Sequence, residues 1–211
     1  MKGLLRALIL VCVLSASVPL VLAYWPRNVD LDEPGAGDSG KDEALRPATL
    51  GQFTPLDPPR PAPDASFTDR DGTPRGLADF RGRFVLVNLW ATWCAPCVRE
   101  MPSLDRLQAK LGSRLAVLAI SEDRGGAHVV DPFLEKLGLK TLAIYLDPKS
   151  ATGEALEVSG LPTTFLIDDQ GRILGHLEGA AEWDSPKMVA TIERYLQGTG
   201  APGVVKTSGV R

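Results

Sequence analysis

The sequence predicts an α/β fold built on a mixed central sheet with helices on both of its faces. Residues 84–90 form a nearly continuous apolar run, which is typical of a strand buried on both faces. Apolar runs and helix-period segments then alternate as far as residue 146, and two further apolar runs flank the turn residues 168–171. Alternating strands and helices followed by a hairpin indicate both parallel and antiparallel neighbours.

The individual elements follow from periodicity and from capping residues. The strand at 84–90 leads into a predicted helix over 95–111, and the later predictions are strand 115–120, helix 129–137, strand 141–146, short helix 152–158 and hairpin strands 163–167 and 172–177. Asp184 or Ser185 is expected to cap a last helix that opens with Pro186 and ends near Gln197. A single α/β domain over residues 64–197 accounts for all of these elements.

The segments outside this domain have a different composition. Lys2 and Arg6 precede an uncharged apolar run over residues 7–25, which is long enough to cross a bilayer and ends in two aromatic residues. We therefore expect a retained membrane anchor at residues 1–25, with cleavage after Ala23 as the alternative. Residues 26–63 are rich in Pro, Gly and Asp and are predicted to be a flexible linker, and residues 198–211 a loose tail.

The charge distribution excludes one class of partner. The net charge is −3, and the excess of acidic residues lies in the predicted linker, so the rest of the chain is balanced. Binding to nucleic acid requires clustered Lys and Arg that neutralise phosphates, and the sequence has no such stripe. We therefore expect no nucleic-acid partner.

Cys94 and Cys97 carry the chemistry that the sequence predicts. The chain has three cysteines, and the third, Cys12, lies in the N-terminal apolar run, which excludes a scaffold of several disulfides. Cys94 directly follows the central strand and opens the next helix, where unpaired N–H groups and the helix dipole stabilise a thiolate. Cys94 is therefore the predicted nucleophile, and Cys97, one turn further on, the resolving cysteine.

The cysteine pair has three alternative interpretations. A zinc site normally has four ligands, and His128 and His176 are too scattered to complete one. A purely structural disulfide needs neither a helix start nor a proline between its cysteines. A Cu(I)-binding module, in which Cys94 and Cys97 hold the soft ion and His176 adds a ligand, is the alternative from another class of protein.

Two motifs together resemble the thioredoxin superfamily: Trp-Ala-Thr-Trp-Cys-Ala-Pro-Cys at 90–97 and Gly-Leu-Pro-Thr-Thr-Phe at 160–165. The anchor and the sequence at 97–102 are similar to its membrane-tethered TlpA and ResA branch. This resemblance implies a thioredoxin-like fold and a bacterial, periplasmic reductase of disulfides in partner proteins, which serves cytochrome c maturation or copper-site assembly in cytochrome oxidase. It also implies a membrane electron donor of thiol-disulfide type, with no cofactor or metal besides the redox-active disulfide.

The resemblance also assigns roles to residues near the cysteines. Pro162 corresponds to the cis-proline that faces the cysteines in the superfamily. The residues expected to contact a client protein are Trp93, Ala95, Pro96, Leu161 and Pro162. Relatives dedicated to cytochrome c usually have Pro-Glu-Thr where this chain has Pro-Thr-Thr at 162–164, which favours the TlpA side.

Glu100 is the predicted proton acceptor. Cytosolic thioredoxins carry an acid six residues before the first cysteine, where this chain has Asn88, so the acceptor must come from elsewhere. Glu100 is in line with the apolar stripe of its helix and one turn beyond Cys97. The catalytic interpretation is that a buried Glu100 exchanges a proton with Cys97, and the alternative is a solvated carboxylate at the edge of the stripe. Relatives of ResA type place an acid here.

Overall fold

The computed structural model describes residues 51–198, which form one eight-stranded sheet with helices packed against it. The strands are β1 (Phe53–Pro61), β2 (Ser66–Asp69), β3 (Pro74–Gly76), β4 (Phe84–Trp90), β5 (Leu115–Ser121), β6 (Ala143–Leu146), β7 (Thr163–Ile167) and β8 (Arg172–Glu178). The helices are α1 (Ala95–Leu111), α2 (Ala127–Leu137), α3 (Ala151–Ala155) and α4 (Pro186–Leu196), with a 3-10 turn over Leu77–Phe80. The predicted anchor, most of the linker and the tail beyond residue 198 lie outside these residues.

The sheet is mixed, as predicted, and its strand order is β1-β8-β7-β4-β5-β6-β2-β3. The central strands β4, β5 and β6 are parallel, and every other neighbouring pair is antiparallel. Every residue of β5 and all but the first of β4 are buried, because both strands are covered on both faces. No helix in residues 51–198 is both long and apolar enough to span a membrane.

Alternation along β4 divides the core into two clusters. Leu86 and Trp90 join the cluster that contains residues of α1, α2 and α4, whereas Val85, Val87 and Leu89 join a second cluster on the opposite face. The crossovers β4-α1-β5 and β5-α2-β6 run in the same direction along the sheet, so right-handed connections place both helices on one face. Helices cover both faces, as predicted, but within residues 51–198 the opposite face carries only the 3-10 turn and the short helix α3.

The predicted linker of residues 26–63 is wrong at its C-terminal end, because strand β1 occupies Phe53–Pro61. The prolines of this segment argue against a strand, because proline has no backbone N–H to donate to a neighbouring strand. Among the described residues, β1 lies at the end of the sheet and pairs with β8 alone, in a register that shifts between Pro55 and Arg60. An edge position with such an irregularity tolerates proline.

The predicted third strand, 141–146, begins two residues later, at Ala143. The backbone N–H groups of Lys140, Thr141 and Leu142 all donate to Asp105 Oδ1 on α1, so they turn toward the helix. The short hairpin β2-β3 was not predicted, because its strands of four and three residues have no measurable period. Ser185 caps α4 by accepting a hydrogen bond from Met188 N, in agreement with one of the two predicted caps.

Candidate active site

Cys94 and Cys97 lie at the start of α1, directly beyond the carboxyl end of β4, and are joined in a disulfide. Cys94 is the N-cap, and its Sγ accepts a hydrogen bond of 3.3 Å from Cys97 N. Pro96 occupies the first helical turn, where its missing N–H breaks no helical hydrogen bond. Both cysteines are buried, and Cys94, at 4% exposure, is slightly more accessible than the fully buried Cys97.

The loop before the cysteines is fixed by Asp123, a buried carboxylate that sequence reasoning missed. Asp123 accepts hydrogen bonds from Thr92 N at 2.8 Å, from Thr92 Oγ1 at 2.7 Å and from Ser121 Oγ at 2.8 Å. These hydrogen bonds hold Thr92 against the buried Asp123. The next side chain, that of Trp93, points outward and is 71% exposed. An exposed indole beside Cys94 is available to a docking protein.

The Leu161–Pro162 peptide bond is cis, in agreement with the superfamily resemblance. Pro162 directly precedes β7, and the first residue of β7, Thr163, pairs with Leu89 near the end of β4. The register therefore brings Leu161 and Pro162 to the end of the sheet at which β4 leads into the cysteines. Of the residues predicted to contact a client, Trp93 and Ala95 are exposed, Pro96 and Leu161 are half-buried and Pro162 is buried.

Glu100 is buried, at 2% exposure, on the face of α1 that also carries Cys97. Its Oε1 accepts a hydrogen bond of 2.8 Å from Asn88 Nδ2, and its Oε2 accepts from Trp183 Nε1 at 2.8 Å and from Ala181 N at 3.0 Å. Burial raises the pKa of this carboxyl, although the three hydrogen bonds oppose the shift. The alternative of a solvated surface carboxylate is wrong.

The Redoxin family profile matches residues 59–195, from within β1 to the last turn of α4. The chain belongs to the Redoxin family. Within residues 51–198 this Redoxin protein has the two motifs of the thioredoxin superfamily at the carboxyl end of β4 and at the start of β7, on a mixed sheet of thioredoxin type.

Relatives of known name indicate which reaction this member of the Redoxin family catalyses. It is 36% identical over 139 residues to the thiol-disulfide oxidoreductase ResA of Geobacillus kaustophilus, a match that covers 64% of this chain and 74% of the relative. It is 36% identical over 114 residues to the thioredoxin-like protein YneN of Bacillus subtilis, which covers 53% of this chain and 66% of YneN. The protein is therefore a ResA-like member of the thioredoxin superfamily and a thiol-disulfide redox enzyme.

Solved structures agree with this assignment. A candidate thiol:disulfide interchange protein DsbE from Chlorobium tepidum is 28% identical and superimposes with a TM-score of 0.58 over 69% of this chain and 99% of its own. The exposed lipoprotein thioredoxin Etrx1 from Streptococcus pneumoniae is 26% identical, with a TM-score of 0.51 over 64% of this chain and 98% of its own. These comparisons do not separate the TlpA side of the branch from the ResA side.

Sequence reasoning missed the partners of Glu100. Trp183 is fully buried, and its indole Nε1 donates to Glu100 Oε2. Asn88 was treated only as a missing acid, yet it joins Glu100 to β7 by donating also to Thr164 Oγ1 at 2.9 Å. A polar residue inside the apolar run of β4 was the available signal for Asn88, whereas no local signal pointed to Trp183.

The structure does not bring His176 to the cysteines. His176 pairs with Phe165 across β7 and β8, and their rings lie 5.9 Å apart. Phe165 belongs to the second core cluster, whereas Cys94 and Cys97 belong to the first, so the imidazole is on the opposite face of the sheet. In residues 51–198 no three His, Cys, Asp or Glu side chains are grouped to hold a metal ion.

Proposed function

We propose that this oxidoreductase acts as a reductant of disulfides in partner proteins. The observation that carries the proposal is the hydrogen bonding of Cys94 Sγ: Cys97 N donates to it, but Pro96, at the other natural donor position of the first turn, has no N–H. A thiolate with few donors is weakly stabilised, and a dithiol whose reduced form is weakly stabilised gives up its electrons readily.

The reaction is a pair of thiol-disulfide exchanges. The Cys94 thiolate attacks one sulfur of a client disulfide, whose S–S bond breaks as the first client sulfur leaves as a thiolate. Cys97 then attacks Cys94 Sγ, which releases the second client thiolate and leaves the Cys94–Cys97 disulfide. Two electrons have passed to the client, and a membrane donor of thiol-disulfide type restores the dithiol.

Glu100 exchanges the proton that Cys97 loses and regains in this cycle. Cys97 and Glu100 are both buried and are one turn apart on α1, and the pKa of Glu100 is raised toward the range of useful general bases. A buried thiol needs such an acceptor, because bulk water does not reach it. Exposed Trp93 and Ala95, with Leu161 and Pro162, form the surface that receives the client.

The proposed setting is the periplasmic face of the bacterial inner membrane, with residues 1–25 as a single-pass anchor. The support is the charge-flanked apolar run over 7–25 and the names of relatives such as the exposed lipoprotein thioredoxin. The proposed clients are proteins of cytochrome oxidase copper-site assembly or cytochrome c maturation, with the TlpA side favoured. Membrane fractionation separates an anchor from a cleaved signal, because only the anchored chain stays with the membrane after a high-salt wash.

The reduction potential of the Cys94–Cys97 pair tests the proposed direction. Equilibration against a dithiothreitol or glutathione series should give a value more negative than about −180 mV, the potential of protein disulfide isomerase. A value near about −120 mV, that of DsbA, would mean that the protein makes disulfides. As a matched variant, Pro96→Ala supplies the missing N–H and should make the potential about 30 mV less negative, equivalent to one charge-assisted hydrogen bond.

Client trapping tests the proposed substrates. Cys97→Ser should freeze the mixed disulfide on Cys94, and mass spectrometry of the trapped species identifies the client. The control is the Cys94→Ser, Cys97→Ser double variant, which has no nucleophile and should trap nothing. Stoichiometric Cu(I) on native protein purified without oxygen would instead support the metal-binding alternative.

A further inference from the structure

Trp183 lies in the loop between β8 and α4, far from the cysteines in sequence. Its indole ring is fully buried in the core cluster that contains α1, and its Nε1 donates to Glu100 Oε2 at 2.8 Å. The same loop supplies a second donor to that oxygen, Ala181 N. The loop therefore contributes two of the three hydrogen bonds that the Glu100 carboxylate accepts.

The loop is attached to α1 at two points, so these donors are held in place. Trp183 N donates to Ser103 Oγ at 3.0 Å, and Ser103 Oγ donates to the backbone oxygen of Glu100 at 2.8 Å. Arg106, one turn further along α1, forms ion pairs with Glu182 and Asp184 on either side of Trp183. Such preorganisation is what a hydrogen bond needs if it is to favour one protonation state of its acceptor.

A second buried tryptophan shows that packing alone does not require this hydrogen bond. Trp90 is also fully buried in the same core cluster, but its Nε1 has no hydrogen-bond partner among the described residues. The fold thus accommodates one indole N–H without a partner and aims the other at the buried carboxylate beside Cys97.

We propose that Trp183 is a positioning residue for the redox reaction, which holds the Glu100 carboxylate in its anionic, proton-accepting form through the hydrogen bond from Nε1 to Oε2. The proposal rests on the proton-exchange role proposed above for Glu100. A donor to a carboxylate stabilises the charged form, so the Trp183 N–H opposes the effect of burial and keeps Glu100 able to accept the proton of Cys97.

The groups that set the charge state of Glu100 by hydrogen bonding are all uncharged donors. Its direct contacts are Asn88 from β4 and Ala181 and Trp183 from the loop, none of which is charged. The charged groups of the loop, Glu182 and Asp184, pair with Arg106 of α1 at the surface. On α1, the charged neighbour Arg99 is exposed, whereas Cys97, one turn before Glu100, is buried with it.

The test compares Trp183→Phe with Trp90→Phe in the full chain. Both changes replace a fully buried indole with a smaller ring, but only Trp183→Phe removes a hydrogen bond to Glu100. The titration of Glu100, followed by its carboxyl carbon NMR signal, and the pH profile for reduction of a disulfide peptide should both move upward by about one pH unit in Trp183→Phe. In Trp90→Phe both should stay at the wild-type pH.

A third variant, Glu100→Gln, separates this proposal from the one on which it rests. If Glu100→Gln alters the pH profile, and Trp183→Phe then has no further effect on the profile in that background, Trp183 acts through Glu100. If Trp183→Phe and Trp90→Phe move the NMR titration equally, the positioning role is wrong, whatever the role of Glu100. If Glu100→Gln leaves the pH profile unchanged while Trp183→Phe still moves the NMR titration, the proton-exchange role is wrong but the hydrogen bond still sets the charge state of Glu100.

Discussion

Glu100 and Asp105 are two carboxylates on the same helix, and their pKa values move in opposite directions. Asp105 Oδ1 accepts hydrogen bonds from Lys140 N, Thr141 N, Leu142 N and Thr141 Oγ1 at distances from 2.7 to 3.1 Å. Burial raises the pKa of Asp105 to some extent, but the bonds from Thr141 and its neighbours outweigh it, so the pKa is lowered. For Glu100, burial outweighs three hydrogen bonds and the pKa is raised.

The difference shows that the number of hydrogen bonds does not decide what a carboxylate can do. Asp105 is partly open to water, which helps to solvate its charge, and it joins α1 to the segment before β6. Glu100 is shielded from water, so its charge depends on the three protein donors alone. Asp105 therefore serves the fold, whereas Glu100 is suited to exchange a proton.

The largest expected effect comes from Glu100→Gln, which removes the proposed proton acceptor and keeps the shape of the side chain. Resolution of a mixed disulfide at neutral pH should slow by about 100-fold, the usual contribution of one general base. The matched control is Asp105→Asn, on the same helix, which should leave this rate within twofold of wild type. Stopped-flow kinetics with a peptide disulfide measures both, and equal rates for the two variants would contradict the assigned roles.

The second largest expected effect is a loss of stability on substitution of Asp105. Asp105→Ala leaves the N–H groups of residues 140–142 without their acceptor, so the free energy of unfolding should fall by about 2 kcal/mol. Urea unfolding of the oxidised protein measures it. Thr141→Val removes only the hydroxyl contacts and should cost about 1 kcal/mol. A loss in Asp105→Ala no larger than that in Thr141→Val would show that the backbone donors find water instead.

The third prediction concerns the pH dependence of stability, for which the two carboxylates should have opposite signs. The lowered pKa of Asp105 gives stability that is present above its ordinary value of 3.8 and is lost as the pH falls through the folded-state pKa. The raised pKa of Glu100 means that stability falls as the pH rises from 4.5 toward its folded-state pKa. Unfolding measured from pH 3 to 8 should therefore show a shallower loss of stability at acidic pH in Asp105→Asn, and a shallower fall above pH 4.5 in Glu100→Gln.

The smallest effect is expected for a carboxylate at the surface. Glu193 on α4 pairs with Arg114 at 2.9 Å, and both side chains are well exposed. Water and salt screen such a pair, so Glu193→Gln should change the free energy of unfolding by about 0.5 kcal/mol or less. Urea unfolding at low and high salt measures the change, and a loss above about 1 kcal/mol would show that surface charge matters more in this fold than exposure indicates.

Sequence reasoning located the reactive groups because their signals are local. Cys94 follows an apolar strand and precedes Pro96, a pattern that predicts a helix start, and the spacing from Glu100 to Leu104 and Leu107 predicts a buried face. Trp183 could not be placed in the same way. Its contact with Glu100 spans 83 residues, and helical periodicity shows which face of a helix is buried but not which loop lies against it.

The missed elements share a different cause. β1 contains four prolines, and composition alone predicts a linker for such a segment, since its fit depends on one neighbour, β8, at the edge of the sheet. β2 and β3 are too short for alternation to be read. β4 and β5 were predicted within a residue, because burial on both faces leaves an apolar run that can be recognised without knowing the neighbouring strands.

The prolines of β1 have a consequence for what can pair with the edges of the sheet. One edge of the sheet is β1 and the other is β3, a three-residue strand that begins with Pro74. A flat edge with free N–H groups recruits extended segments from other chains, and proline removes those donors while a short strand leaves little to pair with. Within residues 51–198, both edge strands therefore offer few N–H donors to an added strand. The loops beyond β4 and before β7, beside the disulfide, remain the surface that we propose for docking of a client.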